Sequence, residues 1–329
     1  MNPASAGRPG VPNGVAPRRP LPTPHRVRRQ VANRGRSTVS RAQLSAAHAG
    51  FARVSPGLGR LDEGALRDEL RRDEDAAVAL LADLAVATDA ELRRQARRLA
   101  RRLLPPLGRT GEPRRPGARR MVSAAESTPG GDLDLDRTLE RSSGQRPRHP
   151  GHLVVRRFAA APRAVCLLVD RSGSMSGHAV GLAAVAAAAV VQARSDRLRC
   201  SVVAFAAEPL VLLGEGSRQS ADGVVDDLLA LRGHGTTDLA RALHVAADQL
   251  GAVPPGGRTA LLMSDAHFTA GEDPFAVAAR LDCLHVLGTS EEADSILAAT
   301  RLARRGGGRY LPAARLSQLA DSLRIALAS

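Results

Sequence analysis

The chain has 329 residues, a formal charge of +14 and 43% hydrophobic residues, enough for a large core or two smaller ones. Aromatics make up only 2%, so that core must be built from Leu, Val and Ala, and the stacking platforms that bind single-stranded nucleic acid are scarce. Every one of the 47 basic residues is Arg, alongside abundant Ala, Gly and Pro, which is what GC-rich coding writes into any protein; the charge is therefore weak support for nucleic-acid binding.

Residues 1–57 contain ten Arg, many Pro and Gly, and no acidic residue. Such a segment buries too little apolar surface to offset chain entropy, so a disordered tail is expected. Its first 24 residues have no apolar core of the signal-peptide kind, and the longest apolar run, Ala179–Ala193, is too short to span a bilayer. A cytoplasmic protein without a membrane anchor is expected.

Residues 58–107 form a helical segment, a small bundle of two or three helices. Asp62 or Asp73 can start one helix, and Ala76, Ala77, Val78, Leu80, Leu81, Leu84 and Val86 give it an apolar face. Thr88, with Asp89 and Glu91 behind it, caps the next helix, Ala90–Leu104, which Pro105-Pro106 ends. Arg93, Arg94, Arg97, Arg98, Arg101 and Arg102 give that helix either a solvated face or a surface for an acidic partner. Residues 108–160 are a linker or extension. Within it, Asp132–Asp136 alternates like a calcium loop, but Arg137 stands where an EF-hand needs Gly and Ser143 where it needs Glu. A strand or a helix entry is the better reading.

From residue 161 the pattern alternates. Strands are expected at Val165–Val169, Leu198–Phe205, Thr259–Ser264, Cys283–Leu287 and Arg309–Leu311, with Leu210–Leu213 as a hairpin partner. Helices are expected at Ala179–Arg194, Ala221–Leu231, Leu239–Leu250, Pro274–Leu281, Ser290–Arg304 and Leu316–Leu327. Strands separated by helices imply an α/β fold with a doubly wound, mostly parallel sheet. Cys166, Cys200 and Cys283 lie in apolar runs without zinc spacing and are expected to be free thiols.

The apolar strand Val165–Val169 ends in Asp170, followed by Ser172 and Ser174. Ligands of open α/β sheets sit just past the carboxyl ends of strands. Oxygens at i, i+2 and i+4 can be turned toward one point, a donor set suited to a hard divalent cation. The plain alternative is a Ser/Gly-rich turn in which Asp170 caps the next helix. Two later stretches bear on this choice: Gly235-Thr236-Thr237-Asp238-Leu239, and Leu261-Leu262-Met263-Ser264-Asp265.

Together, DRSGSM, GTTDL and LLMSD, in this order, resemble the three pieces of the metal-ion-dependent adhesion site of von Willebrand factor A (VWA) domains. The resemblance covers Arg163 to Ala328, within an expected VWA domain of residues 161–329 with a Rossmann-like fold. It implies a site for Mg²⁺ or Mn²⁺ made by Asp170, Ser172, Ser174, Thr237 and Asp265. By that resemblance the three hydroxyls bind the ion, Thr237 in one state of the site, and the two carboxylates hold its waters. Thr236 is the reserve for Thr237, and Asp238 reads as a helix cap. Ala266 stands where the family usually has Gly. His178, His234 and His267 lie near these loops and read as surface residues.

The segment DLDRTLERS, a basic stretch and then the metal loop resemble bacterial intracellular VWA proteins of the CoxE-like and MoxR-associated kind. That implies a non-enzymatic module that binds an Asp or Glu of a partner protein, as adaptor or co-factor of a separate AAA+ ATPase. The chain has no GxxxxGK[ST] of its own. One alternative is a chelatase-type subunit for metal insertion, although no AAA+ module or acidic Pro-rich linker is visible. Another is a metal-dependent hydrolase or phosphotransferase using Asp170. Position 172 is Ser rather than a second Asp, and Gly173–Gly177 places Met where GxSxG needs Ser.

Overall fold

A computed structural model describes residues 38–108, 119–125, 132–172, 177–231 and 235–328. Residues 1–37 of the expected tail, Ser174 and His234 lie outside the described residues.

Among the described residues five helices come first: α1 (Arg41–Ala47), α2 (Phe51–Val54), α3 (Glu63–Arg72), α4 (Glu74–Leu84) and α5 (Ala90–Leu107). Four of these starts, all but that of α2, follow from side-chain oxygens placed to accept the first orphan amides. Ser40 and Gln43 form a capping box, with Ser40 N–H donating to Gln43 Oε1 at 2.8 Å and Gln43 N–H to Ser40 Oγ at 3.3 Å. Asp62 caps α3 and Asp73 caps α4. Asp89, not Thr88, caps α5, while Thr88 Oγ1 donates to Val39 O.

Two expectations are corrected here. Residues 38–57, read as tail, carry α1 and α2, because Leu44, Phe51 and Val54 are fully or almost fully buried. Helix α5 also runs through Pro105 and Pro106 to Leu107. Both prolines sit in its last turn, where the chain is already leaving the helix.

The stretch read as linker contains β1 (Arg119–Ala125), β2 (Asp132–Leu133), α6 (Leu135–Arg141) and β3 (Val154–Ala160). The strands make an antiparallel sheet in the order β1-β3-β2. Asp134 ties it together. Its carboxylate accepts from Arg156, Ser123 and the Arg137 amide, and these partners, Arg156 foremost, lower its carboxyl to about 2.

The remaining elements are β4 (Arg163–Asp170), α7 (Gly177–Gln192), β5 (Leu198–Phe205), β6 (Leu210–Leu213), α8 (Ala221–Ala230), α9 (Leu239–Leu250), β7 (Arg258–Ser264), α10 (Pro274–Ala278), β8 (Leu284–Gly288), α11 (Ala293–Arg305), β9 (Gly307–Pro312) and α12 (Leu316–Ala328). One six-stranded sheet runs β6-β5-β4-β7-β8-β9. All its pairings are parallel except that of β6 with β5. The expected doubly wound sheet is therefore present.

Strand periodicity divides the core in two. Val165, Leu167 and Val169 face a layer containing α7, α8 and α12. Ala164, Cys166 and Leu168 face the layer of α9, α10 and α11. Cys166 and Cys200 are buried free thiols, each pushed up to about 12, chiefly by burial. Cys283, expected inside a strand, precedes β8 and is only partly buried.

Helix α7 is apolar on every side, so it needs cover on both. The sheet supplies one side and the N-terminal helices the other. Leu44, Phe51, Leu66, Val78, Leu81, Leu92 and Leu99 share one core with Val165, Leu182 and Val185. The helical segment is thus a third layer on the α/β unit rather than a separate bundle. Gly181 of α7 permits the closest approach, since a Cβ there would lie 2.4 Å from Val78 Cγ1 and 2.9 Å from Val78 O.

The arginines of α5 are mostly engaged within the chain. Arg93 and Arg97 donate to the carbonyls of Ala87 and Ala85 at the end of α4. Arg94, Arg101 and Arg102 pair with Glu91, Asp226 and Glu63. Among the described residues no helix is long and apolar enough to cross a membrane.

Candidate metal centre

The chain enters the main sheet at β4, winds outward through β5 and β6, then returns to the other side of β4 with β7. The winding direction reverses between β4 and β7. At such a switch point the two crossovers leave on opposite faces and open a crevice past the strand ends. The last residue of β4 is Asp170 and the last of β7 is Ser264, directly before Asp265.

Asp170 is 1% exposed. Its Oδ1 accepts the Ser172 amide at 2.8 Å, and its Oδ2 accepts the Ser264 hydroxyl at 2.6 Å. Burial raises the Asp170 carboxyl above its ordinary range; the bonds from Ser264 and Ser172 oppose the rise, and the nearby Asp265 charge adds to it. Ser172 is itself buried.

Past β7 the chain turns sharply. The Ala266 amide donates to Ser264 Oγ at 3.0 Å and the His267 amide to Asp265 Oδ1 at 3.1 Å. Ala266 has φ +60°, the left-handed region that favours glycine, so the family's usual Gly has a conformational reason. Ala266 is 5% exposed and belongs to the second core layer.

The third loop is held by main-chain bonds. The Thr237 amide donates to Thr269 Oγ1 at 3.1 Å, and the Thr237 carbonyl accepts from the amides of Thr269 and Ala270. Thr237 is 3% exposed, whereas Thr236 is exposed. Asp238 caps α9 through the Arg241 amide at 3.0 Å, as expected. Its carboxylate lies against Gly271, where a Cβ would be 2.3 Å from Oδ1.

Three ties hold the loops to one another. The Ser264–Asp170 bond joins the ends of β4 and β7. The amides of Arg171 and Asp238 hang from the consecutive carbonyls of Phe205 and Ala206. Thr237 is bonded to Thr269 and Ala270, in the loop that follows Asp265. Of the residues expected at the site, Asp170, Ser172, Thr237 and Asp265 therefore sit on loops joined at one rim of the sheet. Ser264 and Thr269 had not been singled out. The signal for Ser264 was a polar residue closing an otherwise apolar strand. His267 is half exposed, with Nδ1 3.7 Å from Asp265 Oδ1, and His178 pairs with Asp75 at 2.9 Å.

A doubly wound sheet whose switch point carries Asp-x-Ser, a buried Thr loop and a second Asp has the arrangement of a VWA domain. Residues 99–290 match the family model described as VWA domain containing CoxE-like protein, and the chain belongs to that family. Similar solved structures include a von Willebrand factor type A protein from Catenulispora acidiphila, with 18% identity, 53% of this chain and 44% of that one covered, and a TM-score of 0.42. The manganese-loaded TRAP protein of Plasmodium vivax has 19% identity over 51% of this chain and 74% of its own, with a TM-score of 0.40. An aerotolerance-related membrane protein from Bacteroides fragilis has 15% identity over 50% of this chain and 98% of its own, with a TM-score of 0.40. A comparison with curated proteins returned no match.

Proposed function

We propose that the chain is a non-enzymatic, metal-dependent interaction module. In this reading Ser172, Ser174 and Thr237 supply hydroxyl ligands to Mg²⁺ or Mn²⁺, and Asp170 and Asp265 orient bound water and balance charge. The donor chemistry fits a hard cation: the hydroxyls of Ser172 and Thr237 and the carboxylates of Asp170 and Asp265 come from three loops tied together at one rim of the sheet. The observation that carries the reading is the Ser264–Asp170 bond, which brings the buried carboxylate at the end of β4 to the strand end that Asp265 directly follows.

The bound ion would supply an open coordination position with uncompensated positive charge. The chain's own part is to hold the hydroxyls in place. Ser264 and the Ser172 amide fix Asp170, and Thr269 fixes the Thr237 loop. The ligand that suits such a position is an Asp or Glu side chain of a partner protein. The resemblance of the sequence to MoxR-associated proteins extends the proposal to a cytoplasmic adaptor of a separate MoxR-type AAA+ ATPase.

Affinity capture with the full chain as bait, in Mg²⁺ and in EDTA, tests this reading. A protein retained in Mg²⁺ and lost both in EDTA and with Ser172→Ala is expected. Retention indifferent to EDTA contradicts it.

A further inference from the structure

Most arginines of α5 are held by carboxylates or carbonyls of the chain itself. A second group is not. Arg280, Arg304, Arg305 and Arg309 are exposed, and among the described residues no carboxylate forms an ion pair with any of them. Arg301 stands beside them on α11, exposed, with its guanidinium carbon 5.9 Å from the centre of the Phe275 ring.

Backbone packing gathers these residues at the amino ends of β8 and β9. Gly306, directly after Arg305, lets the end of α11 close on β8. A Cβ there would lie 2.5 Å from Leu284 Cβ and 3.4 Å from the carbonyl of Ala278, which precedes Arg280 by one turn of chain. The pairing of β8 with β9 slips from Leu284 opposite Gly307 to Val286 opposite Tyr310, leaving an extra residue on β9. The Arg309 amide falls in that bulge and donates to Nδ1 of the buried His285 at 3.1 Å.

Helix polarity accounts for part of this charge. Arg304 and Arg305 lie in the last turn of α11, where the backbone dipole favours cations. It does not account for Arg280 and Arg309, which lie outside the helix. Nor does it account for Arg301, which makes with Arg305 an i, i+4 pair of like charge that costs helix stability. The acid nearest in sequence, Asp282, accepts the Gly256 amide at 2.6 Å. Five cations at one corner repel one another, and carboxylates from outside would reverse that term. Leu297, one turn before Arg301, is 58% exposed and adds an apolar contact to the same helix. That contact suits a protein segment rather than a phosphate backbone.

We infer that this arginine corner is a docking surface for an acidic segment of a partner protein. Strands β4, β7, β8 and β9 are parallel, so the corner and the rim of Asp170 lie at opposite ends of the sheet. A protein docked here leaves that rim open, and one chain can hold two partners at once. The inference does not depend on the metal reading.

The test is binding of a fluorescein-labelled oligoglutamate peptide to the full chain at low salt, in EDTA, followed by anisotropy. EDTA keeps the metal centre out of the measurement, so failure here and failure of the metal reading are distinct. Arg305→Glu is expected to weaken binding by about tenfold or more, because like charges then face each other. Arg280→Glu, outside any helix, should do the same and serves if Arg305→Glu does not fold. Arg218→Glu makes the same charge change at an exposed arginine that follows β6, on the opposite edge of the sheet, and should cost less than about twofold through screened solvent. Equal losses in Arg218→Glu and Arg305→Glu would assign the binding to net charge and overturn the inference. So would absence of binding by the wild-type chain. Tighter binding of a single-stranded DNA of the same charge, lost in the same variants, would give the corner to nucleic acid instead.

Discussion

Asp170→Asn is expected to abolish stabilisation by divalent metal while leaving the metal-free chain at least as stable as wild type at neutral pH. A ligand present at 100 times its dissociation constant adds ~2.7 kcal/mol to stability. For a cooperative unit of this size that is a rise in melting temperature of about 4 °C. The variant should show none of it. The metal-free result follows from the sign of the Asp170 shift. Burial, reinforced by Asp265, holds the carboxyl above its ordinary range despite the bonds from Ser264 and Ser172. A carboxyl raised in the folded state contributes stability below its unfolded pKa, and that contribution is lost as pH climbs through the folded value. Asn removes the charge that burial disfavours, keeps an acceptor for the Ser172 amide, and turns the Ser264 contact into one in which the new amide donates to Ser264 Oγ. Melting curves with Mn²⁺ and with EDTA check both halves. A retained metal shift, or a collapse of the variant in EDTA, contradicts the account.

Gly181→Val is expected to destabilise the whole chain by about 3 kcal/mol or more, at the upper end of overpacking penalties. For a cooperative unit of this size the corresponding fall in melting temperature is about 5 °C. A Cβ there would meet not only the movable Val78 methyl at 2.4 Å but also the Val78 carbonyl at 2.9 Å, so a side-chain rotation cannot relieve the clash. Helices α4 and α7 would have to separate, opening the core they share. Chemical denaturation measures the loss. Wild-type stability in this variant would mean that the helical layer does not rest on α7.

Much of the α/β unit was legible because its signals are local. The run Val165–Val169 is apolar on both faces, as a central parallel strand must be, and Asp170 marks its end. Asp62, Asp73 and Asp238 announced their helices by capping them. The site residues could be listed, but the bonds joining their loops could not, since the Ser264–Asp170 pair spans 94 positions of sequence. The small antiparallel sheet was missed because β1 and β3 mix arginines with small residues, and their pairing is set by register rather than by alternation. Helices α1 and α2 were hidden in an arginine-rich stretch with only Leu44, Phe51 and Val54 to bury, although the Ser40–Gln43 box was there to be read. The placement of the helical layer had one overlooked clue. Helix α7 has no polar face, and a sheet can cover only one side of it.

The central claim is that oxygens from three separate loops converge on one cation at the carboxyl ends of β4 and β7. Anomalous diffraction from crystals grown with Mn²⁺ addresses it directly. The account predicts one strong peak per chain at that rim, within coordination distance of the Ser172 hydroxyl and beside Asp170 and Asp265. A peak elsewhere, or none at that rim at saturating Mn²⁺, would contradict it.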